Sequence, residues 1–148
     1  MDLPKRKSPR IPGYDYATPG EYFVTICTEN RAKLLGEVQN GKMLLSPVGT
    51  ICKEELEKLH LTVYTIMPNH VHLVISLSEP ARPLANVVGA WKSITTKRIN
   101  ALCGTPGRHI WQRSYHDHAI RCDFDRTEIL RYIEENSLKW ELDRLHID

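Results

Sequence analysis

Two histidines separated by one residue are the first candidates for chemistry in this chain. His70 and His72 lie in the segment Met67–Ile75, which reads Met-Pro-Asn-His-Val-His-Leu-Val-Ile. Because side chains alternate between the faces of a strand, both imidazoles would point to one side and Val71 to the other. Such a pair can bind one divalent cation and leave its far side open for other ligands and substrate. The alternative is a polar stripe without a metal.

A tyrosine and an asparagine near the C-terminus are the second pair of candidates. Tyr132 and Asn136 are four residues apart in a segment with a helical pattern, so they would share one helical face. If that face packs beside the histidine strand, two imidazoles and an amide oxygen could hold Mg²⁺ or Mn²⁺ one turn from a phenol. A phenol, with an ordinary pKa of about 10, becomes a useful nucleophile when a metal has neutralised a phosphodiester. The alternative is a tyrosine ring half-buried in the core.

A second His-x-His sequence offers a rival metal site. His116, Asp117 and His118 lie on another predicted strand, with Tyr115 beside them as a rival nucleophile. Asp117 would face away from the two histidines on a regular strand, which counts against this site. His118 could instead support another ligand through a hydrogen bond.

The predicted secondary structure has to position these groups. Asn40-Gly41 is typical of a tight hairpin, and Ser46-Pro47 is typical of the start of a helix. In chain order we predict a strand at 21–28, a hairpin of 36–39 and 42–45, a helix from 46 to about 60, strands at 62–66 and 70–77, a helix from 83 to about 102, a strand at 111–120 and a helix at 123–136. The order predicts an α+β fold, a ferredoxin-like or RRM-like antiparallel sheet with helices packed on one face. We expect Phe124, Ile129, Leu130 and Ile133 on the core side of the last helix.

Basic residues cluster in three places, although the net charge is only +2. Residues 1–20 contain four prolines and predict an extended basic arm, which either lies along a phosphate backbone or is a solvated tail. One face of the second helix carries lysines and hydroxyls without an acid, a pattern typical of phosphate contact or of a plain solvated face. The candidate nucleic-acid contacts are Lys5, Arg6, Lys7, Lys92, Lys97, Arg98, Arg108, Arg113 and Arg121.

Length and composition limit the class of protein. A chain of 148 residues favours one domain, and no run of eighteen apolar residues predicts a membrane span. The basic N-terminus is not followed by an apolar segment, so it does not read as a secretory signal. The four cysteines are scattered without a Cys-x-x-Cys, which predicts reduced thiols in a cytoplasm and neither a structural zinc site nor a disulfide framework.

The ordered combination of motifs resembles the HUH single-tyrosine transposases, and most of all their REP-associated tyrosine transposase branch. The residues that carry the resemblance are Met67-Pro68-Asn69-His70-Val71-His72, Trp111-Gln112-Arg113, His118-Ala119-Ile120-Arg121, Tyr132-Ile133, Asn136 and Trp140, with Gly13-Tyr14-Asp15-Tyr16 and Tyr22–Thr28 earlier in the chain. The resemblance covers nearly the whole chain, with residues 21–148 as the HUH tyrosine transposase-like domain. One departure is Asn136-Ser137, where the family commonly has Asn-Pro.

The resemblance implies both a site and a reaction. It implies that His70, His72 and Asn136 bind Mg²⁺ or Mn²⁺ and that Tyr132 is the nucleophile, with no nucleotide cofactor. The implied partner is single-stranded DNA with a hairpin, such as a repetitive palindromic element, cleaved through a 5′-phosphotyrosine. The implied setting is a monomer or homodimer associated with the nucleoid in a bacterial cytoplasm.

Two other functions stay open on the sequence. One is a relative that binds DNA hairpins without cutting them. The other is a ferredoxin-like RNA-binding module, which usually reads bases with aromatic side chains exposed on the sheet. The chain has only two phenylalanines, so the sequence offers little for that second function.

Overall fold

A computed structural model describes residues 20–61, 63–77 and 83–136 of the chain. The predicted N-terminal arm, with Lys5, Arg6 and Lys7, lies outside the described residues, as does Trp140. In chain order the elements are β1 (Gly20–Cys27), a short 3₁₀ turn (Glu29–Arg31), β2 (Gly36–Gln39), β3 (Lys42–Leu45), α1 (Pro47–Glu57), β4 (Val63–Met67), β5 (His70–Leu77), α2 (Leu84–Cys103), β6 (His116–Ile120) and α3 (Asp123–Glu135).

Four antiparallel strands form the main sheet, in the order β4-β5-β1-β6. Without the β2–β3 hairpin, the order along the chain is strand, helix, two strands, helix, strand, which is the ferredoxin-like arrangement. β1 and β5 are central and pair along their full lengths, from Gly20 opposite Leu77 to Cys27 opposite His70. The predicted α+β class is therefore confirmed, and the strand that carries the two histidines lies inside the sheet.

The hairpin and the first helix form where the local sequence indicates. Asn40 and Gly41 both have positive φ, 52° and 75°, as a two-residue turn between twisted strands requires. The Ser46 side chain accepts a hydrogen bond of 3.0 Å from the Gly49 amide, and Pro47 occupies the first helical position. These turn and cap residues confirm the predicted hairpin and the predicted helix start.

The two faces of the sheet are covered differently. Tyr22, Val24 and Ile26 of β1 belong to the large core cluster that contains the buried side chains of α1 and α2. Phe23, from the opposite face of β1, packs instead with two isoleucines of α3. The predicted packing on one face thus holds for α1 and α2, whereas α3 lies on the other face.

Two local predictions were wrong. The strand expected at 111–120 is regular only from His116, and Trp111 makes a single bridge to Thr28. Phe124, expected in the core, is 72% exposed and does not belong to the cluster that Ile129 and Ile133 form with Phe23. The segment between Trp111 and β6 is therefore a loop that can carry exposed side chains.

Candidate active site

The two imidazoles of β5 lie together on the α3 face of the sheet. Their ring centroids are 4.6 Å apart and the ring planes are inclined at 69°. His70 is opposite Cys27 and His72 is opposite Thr25 on β1, and both imidazoles are fully buried. The predicted common orientation of His70 and His72 is therefore confirmed, since Val71 between them belongs to the core cluster on the other face.

Each imidazole is held by a side chain at its Nδ1 atom. Thr25 Oγ1 lies 2.8 Å from His72 Nδ1, and Asn69 Oδ1 lies 2.7 Å from His70 Nδ1. Contacts at Nδ1 fix the tilt of a ring and make Nε2 the nitrogen that can face a ligand. The sequence analysis assigned no role to Thr25 or Asn69, although both lie in segments that carry the family resemblance. Only their positions could have indicated a role: Thr25 is opposite His72 on the neighbouring strand, and Asn69 directly precedes His70.

Tyr132 lies against this histidine pair. Its ring centroid is 5.2 Å from that of His72 and 6.3 Å from that of Phe23. Ile129 and Ile133 flank the tyrosine in sequence and are both buried against Phe23 of the sheet. The tyrosine is itself only partly buried, so packing on both sides sets its place while part of the ring stays accessible. The predicted meeting of the phenol and the imidazoles is present in the structure.

Asn136 follows one helical turn after Tyr132, at the C-terminal end of α3. Its amide N–H donates to the Ile133 carbonyl over 3.3 Å, its backbone is helical and its side chain is 3% exposed. Residues four apart share a helical face, so the side-chain amide of Asn136 belongs to the face of α3 that carries the Tyr132 phenol. Ser137, the departure from the family pattern, lies outside the described residues.

The donor set is one of nitrogen and neutral oxygen. Within residues 20–61, 63–77 and 83–136, no group of three or more His, Cys, Asp and Glu side chains is placed to hold a metal ion. The predicted cation ligands are of a different kind, two imidazoles and the amide oxygen of Asn136. Because no thiolate is among them, they do not form the closed site typical of structural zinc.

The beginning of α3 is tied to the sheet by charge. Arg126 forms an ion pair with Glu21 at the start of β1. His118 Nε2 lies 3.6 Å from an oxygen of Asp125, a contact that is an ion pair when the imidazole is protonated. The sequence had suggested that His118 could support a metal ligand through a hydrogen bond. In the structure its imidazole contacts Asp125 of α3 instead. These contacts hold the half of the helix that precedes Tyr132.

The residues of the rival metal site and the rival tyrosine lie on different faces of the sheet. His116 is opposite Thr25 and His118 is opposite Phe23, so both imidazoles share the face of the first pair. Asp117 is buried and opposite Val24, on the face covered by α1 and α2, as the alternation predicted. Tyr115 is 7% exposed and belongs to that same large core cluster. Tyr115 is thus a core residue, and Tyr132 is the tyrosine beside the imidazoles.

A basic groove runs between α2 and the loop that precedes β6. Its volume is about 880 Å³, and the described residues lining it include four Lys or Arg side chains and one carboxylate, Glu29. The cations are Lys92, Lys97, Arg108 and Arg113. This excess of positive charge, with Ser, Thr, Asn and Gln side chains between, is the composition expected of a phosphate-contacting surface.

Lys92 also builds the groove. Its Nζ donates to the carbonyls of Gln112 and Arg113, over 2.7 Å and 3.0 Å, and so ties the loop to α2. Partial burial lowers the pKa of this ammonium below its ordinary value. The backbone N–H of Gln112 in turn donates to the backbone carbonyl of Cys27 over 2.9 Å. Because Cys27 is the strand partner of His70, the loop joins the basic groove to the histidine end of the sheet.

Two predicted nucleic-acid contacts lie elsewhere. The Arg98 guanidinium binds Glu54 and Glu55 of α1, each over 2.7 Å, and does not line the basic groove. Arg121 is exposed directly after β6 and is also not among the groove residues. The acids that engage Arg98 come from α1, so the acid-free sequence of α2 could not show them.

Comparison with known proteins agrees with the fold. The family model described as "Transposase IS200 like" matches residues 18–136, and the chain therefore belongs to this family. An uncharacterized protein of Haemophilus influenzae is 30% identical over 97% of this chain and 94% of its own length. The REP-associated tyrosine transposase of Escherichia coli is 26% identical over 84% of this chain and 70% of its own length. These matches confirm the resemblance seen in the sequence.

A solved structure shows the same fold. It is a REP-associated tyrosine transposase bound to a REP hairpin, with a TM-score of 0.62 and 20% identity over 97% of this chain and 77% of that one. At that identity the likeness supports the architecture. Within the part of the chain that is described, no helix is long and apolar enough to cross a membrane.

Proposed function

We propose that this protein is a metal-dependent single-stranded DNA endonuclease and strand transferase, a transposase that cleaves next to DNA hairpins. The observation that carries the proposal is the contact of Tyr132 with His72, at 5.2 Å between ring centroids, on the sheet face that also holds His70. Membership of the IS200-like transposase family supports it. A DNA hairpin is the proposed partner because a protein of the same fold is known with one bound.

His70, His72 and Asn136 are the residues that would hold Mg²⁺ or Mn²⁺. Bound there, the ion would supply charge neutralisation for a phosphodiester lying against the histidine face. The protein contributes a rigid pair of imidazoles, each fixed at Nδ1, and an amide at the end of α3. The side chains of all three residues are buried, with 0% of His70, 0% of His72 and 3% of Asn136 exposed.

Tyr132 would act as the nucleophile. Its phenolic oxygen, having lost its proton to solvent, attacks phosphorus and forms a tyrosine–phosphate bond. The bond from phosphorus to the 3′-oxygen breaks, which leaves a 5′-phosphotyrosine and a free 3′-hydroxyl. A 3′-hydroxyl from another DNA end can reverse the reaction and join strands, so no nucleotide cofactor is needed.

The basic groove is the proposed surface for the DNA backbone. Lys97, Arg108 and Arg113 line it and would contact phosphates, while Lys92 holds the loop in place. In this proposal a DNA strand that leaves the groove passes over Gln112. Gln112 is hydrogen-bonded to Cys27, the residue of β1 that pairs with His70. Arg98 and Arg121, which lie outside the groove, and the arm residues Lys5, Arg6 and Lys7 stay predicted DNA contacts. A monomer or homodimer at the nucleoid, in a bacterial cytoplasm, also stays a prediction.

The test is formation of a covalent adduct. Wild-type protein, incubated with Mn²⁺ and a DNA oligonucleotide carrying a hairpin and single-stranded flanks, should give a protein–DNA band that survives denaturing electrophoresis. Tyr132→Phe should abolish the band, and Tyr115→Phe should retain it. An adduct in Tyr132→Phe would show that the nucleophile is misassigned.

The same oligonucleotides separate the alternatives. Tight hairpin binding without any adduct, over a panel of hairpin and flank sequences, would favour the relative that binds DNA without cutting it. A preference for RNA over DNA of the same sequence would favour the RNA-binding module. Either result would contradict the proposed reaction.

A further inference from the structure

Two buried polar side chains contact the Nδ1 atoms of the imidazoles. Thr25 and Asn69 are each 1% exposed. A polar group buried this completely destabilises the fold unless it is hydrogen-bonded. Each places an oxygen within 2.8 Å of the Nδ1 atom of a different histidine, Thr25 with His72 and Asn69 with His70. The two histidines therefore have separate partners.

The Asn69 contact defines the protonation of His70. Asn69 Nδ2 donates to the Arg31 carbonyl over 3.4 Å, which orients the amide so that its carbonyl oxygen faces the ring. An amide carbonyl only accepts hydrogen bonds, so His70 Nδ1 must carry the proton. In the neutral ring, Nε2 then holds a lone pair, which is the form that binds a metal ion.

The Thr25 contact allows two states of His72. A hydroxyl can accept from Nδ1–H or donate to a bare Nδ1. The first arrangement leaves the lone pair on Nε2, whereas the second puts a proton on Nε2 and blocks cation binding. Only the first makes His72 match His70.

We propose that Thr25 and Asn69 are positioning residues that hold His72 and His70 in the Nδ1–H tautomer, with both Nε2 atoms ready for a divalent cation. The proposal rests on the metal site of the proposed function, and it assigns these two side chains a role in that site. Partners of this kind commonly change metal affinity about 10- to 100-fold when they are removed.

The tautomers can be read without metal or DNA. In ¹⁵N-labelled protein at a pH at which the rings are neutral, long-range ¹H–¹⁵N correlation spectra distinguish Nδ1–H from Nε2–H. We expect Nδ1–H for both histidines in the wild type, and a shift of His72 toward Nε2–H in Thr25→Val. A wild-type His72 in the Nε2–H form, or an unchanged His72 in Thr25→Val, would overturn the proposal.

Metal affinity gives the second measurement. Titration with Mn²⁺, followed by electron paramagnetic resonance, should show binding about 10- to 100-fold weaker in Thr25→Val and near wild type in Thr25→Ser, which keeps the hydroxyl. Thr65→Val is the matched control, because Thr65 is the neighbour of His72 on β4 and its hydroxyl has no hydrogen bond to a described residue. Equal Mn²⁺ affinity in Thr25→Val and Thr65→Val would contradict the positioning role.

The outcomes separate this proposal from the proposed function. If the tautomers and Mn²⁺ affinities behave as expected and no DNA adduct forms, the positioning role stands and the transposase reaction fails. If the adduct forms with Tyr132 and Thr25→Val changes neither tautomer nor affinity, the reaction stands and the positioning role fails.

Discussion

The rings of Tyr132 and His72 meet edge to face, with their centroids 5.2 Å apart and their planes inclined at 68°. The two residues are sixty positions apart in sequence and come from different elements, a helix and a central strand. Phe23 fills the space behind both rings, at 5.3 Å from His72 and 6.3 Å from Tyr132. The phenol is therefore placed beside the histidine pair by apolar packing, before any ligand is bound.

Removal of either proposed histidine ligand should abolish specific metal binding. We expect His70→Ala and His72→Ala to weaken Mn²⁺ binding by more than about 100-fold, beyond the loss expected for an outer partner. Adduct formation should fall with it. His60→Asn is a suitable control because His60 is exposed and has a φ of 52°, which asparagine tolerates. Retained Mn²⁺ affinity in both alanine variants would rule out the site.

Asn136 should be replaceable by a residue that offers an oxygen. Asn136→Asp keeps a side-chain oxygen at the same distance from the backbone and should retain Mn²⁺ binding and adduct formation. Asn136→Ala should weaken Mn²⁺ binding about 10-fold or more, since it leaves only the two imidazoles. Circular dichroism of the same samples would show whether α3 still forms. Equal affinity in the alanine and aspartate variants would remove Asn136 from the ligand set.

The groove cations should contribute salt-dependent DNA affinity. Lys97→Gln, Arg108→Gln and Arg113→Gln should each remove one phosphate interaction, so the slope of log K against log salt should fall by about 0.9 on duplex DNA. Fluorescence anisotropy with a hairpin oligonucleotide, repeated over a range of salt concentrations, measures this slope. Lys53→Gln removes the same charge from an exposed position of α1 outside the groove. If the three groove variants and Lys53→Gln all give the same slope of log K against log salt, the groove is not the DNA-binding surface.

Stability should depend on Glu55 in acid. Hydrogen bonding to Lys58, and then to Arg98, holds the pKa of this carboxyl below its ordinary value of 4.5, although burial opposes the shift. A lowered folded-state pKa stabilises the protein above pH 4.5, and this contribution is lost as the pH falls through the folded-state value. Glu55→Gln should therefore lower Tm by about 2–4 °C at pH 7, the size of a ~1 kcal/mol loss.

The difference in Tm between wild type and Glu55→Gln should narrow as the pH falls below 4.5. Scanning calorimetry between pH 3 and pH 7 would show it, with the exposed Glu57→Gln as the control on the same helix. A gap of constant size across that range would mean that the carboxylate charge is not the source of the stabilisation.

The sequence predicted which of the candidate side chains share a face better than it predicted the packing around them. Alternation in β5 and four-residue spacing in α3 are local patterns, so they showed which side chains share a face. The side of the sheet that α3 covers depends on the match between Ile129, Ile133 and Phe23, which no local pattern contains.

Interactions between distant segments account for most of what the sequence missed. Arg98 reads as a phosphate contact on α2 alone, and its two carboxylate partners belong to α1. The loop after Trp111 reads as a strand because of its composition, yet the carbonyls of Gln112 and Arg113 accept hydrogen bonds from the Lys92 side chain of α2.

One strand carries both the reactive pair and the packing of the molecule. Along β5, His70 and His72 alternate with Val71 and Leu73, which belong to the large core cluster. A deletion of one residue here would move the imidazoles to the face covered by α1 and α2 and the aliphatic side chains to the face covered by α3. Insertions and deletions in this segment would therefore disrupt the packing of the large core cluster together with the histidine pair.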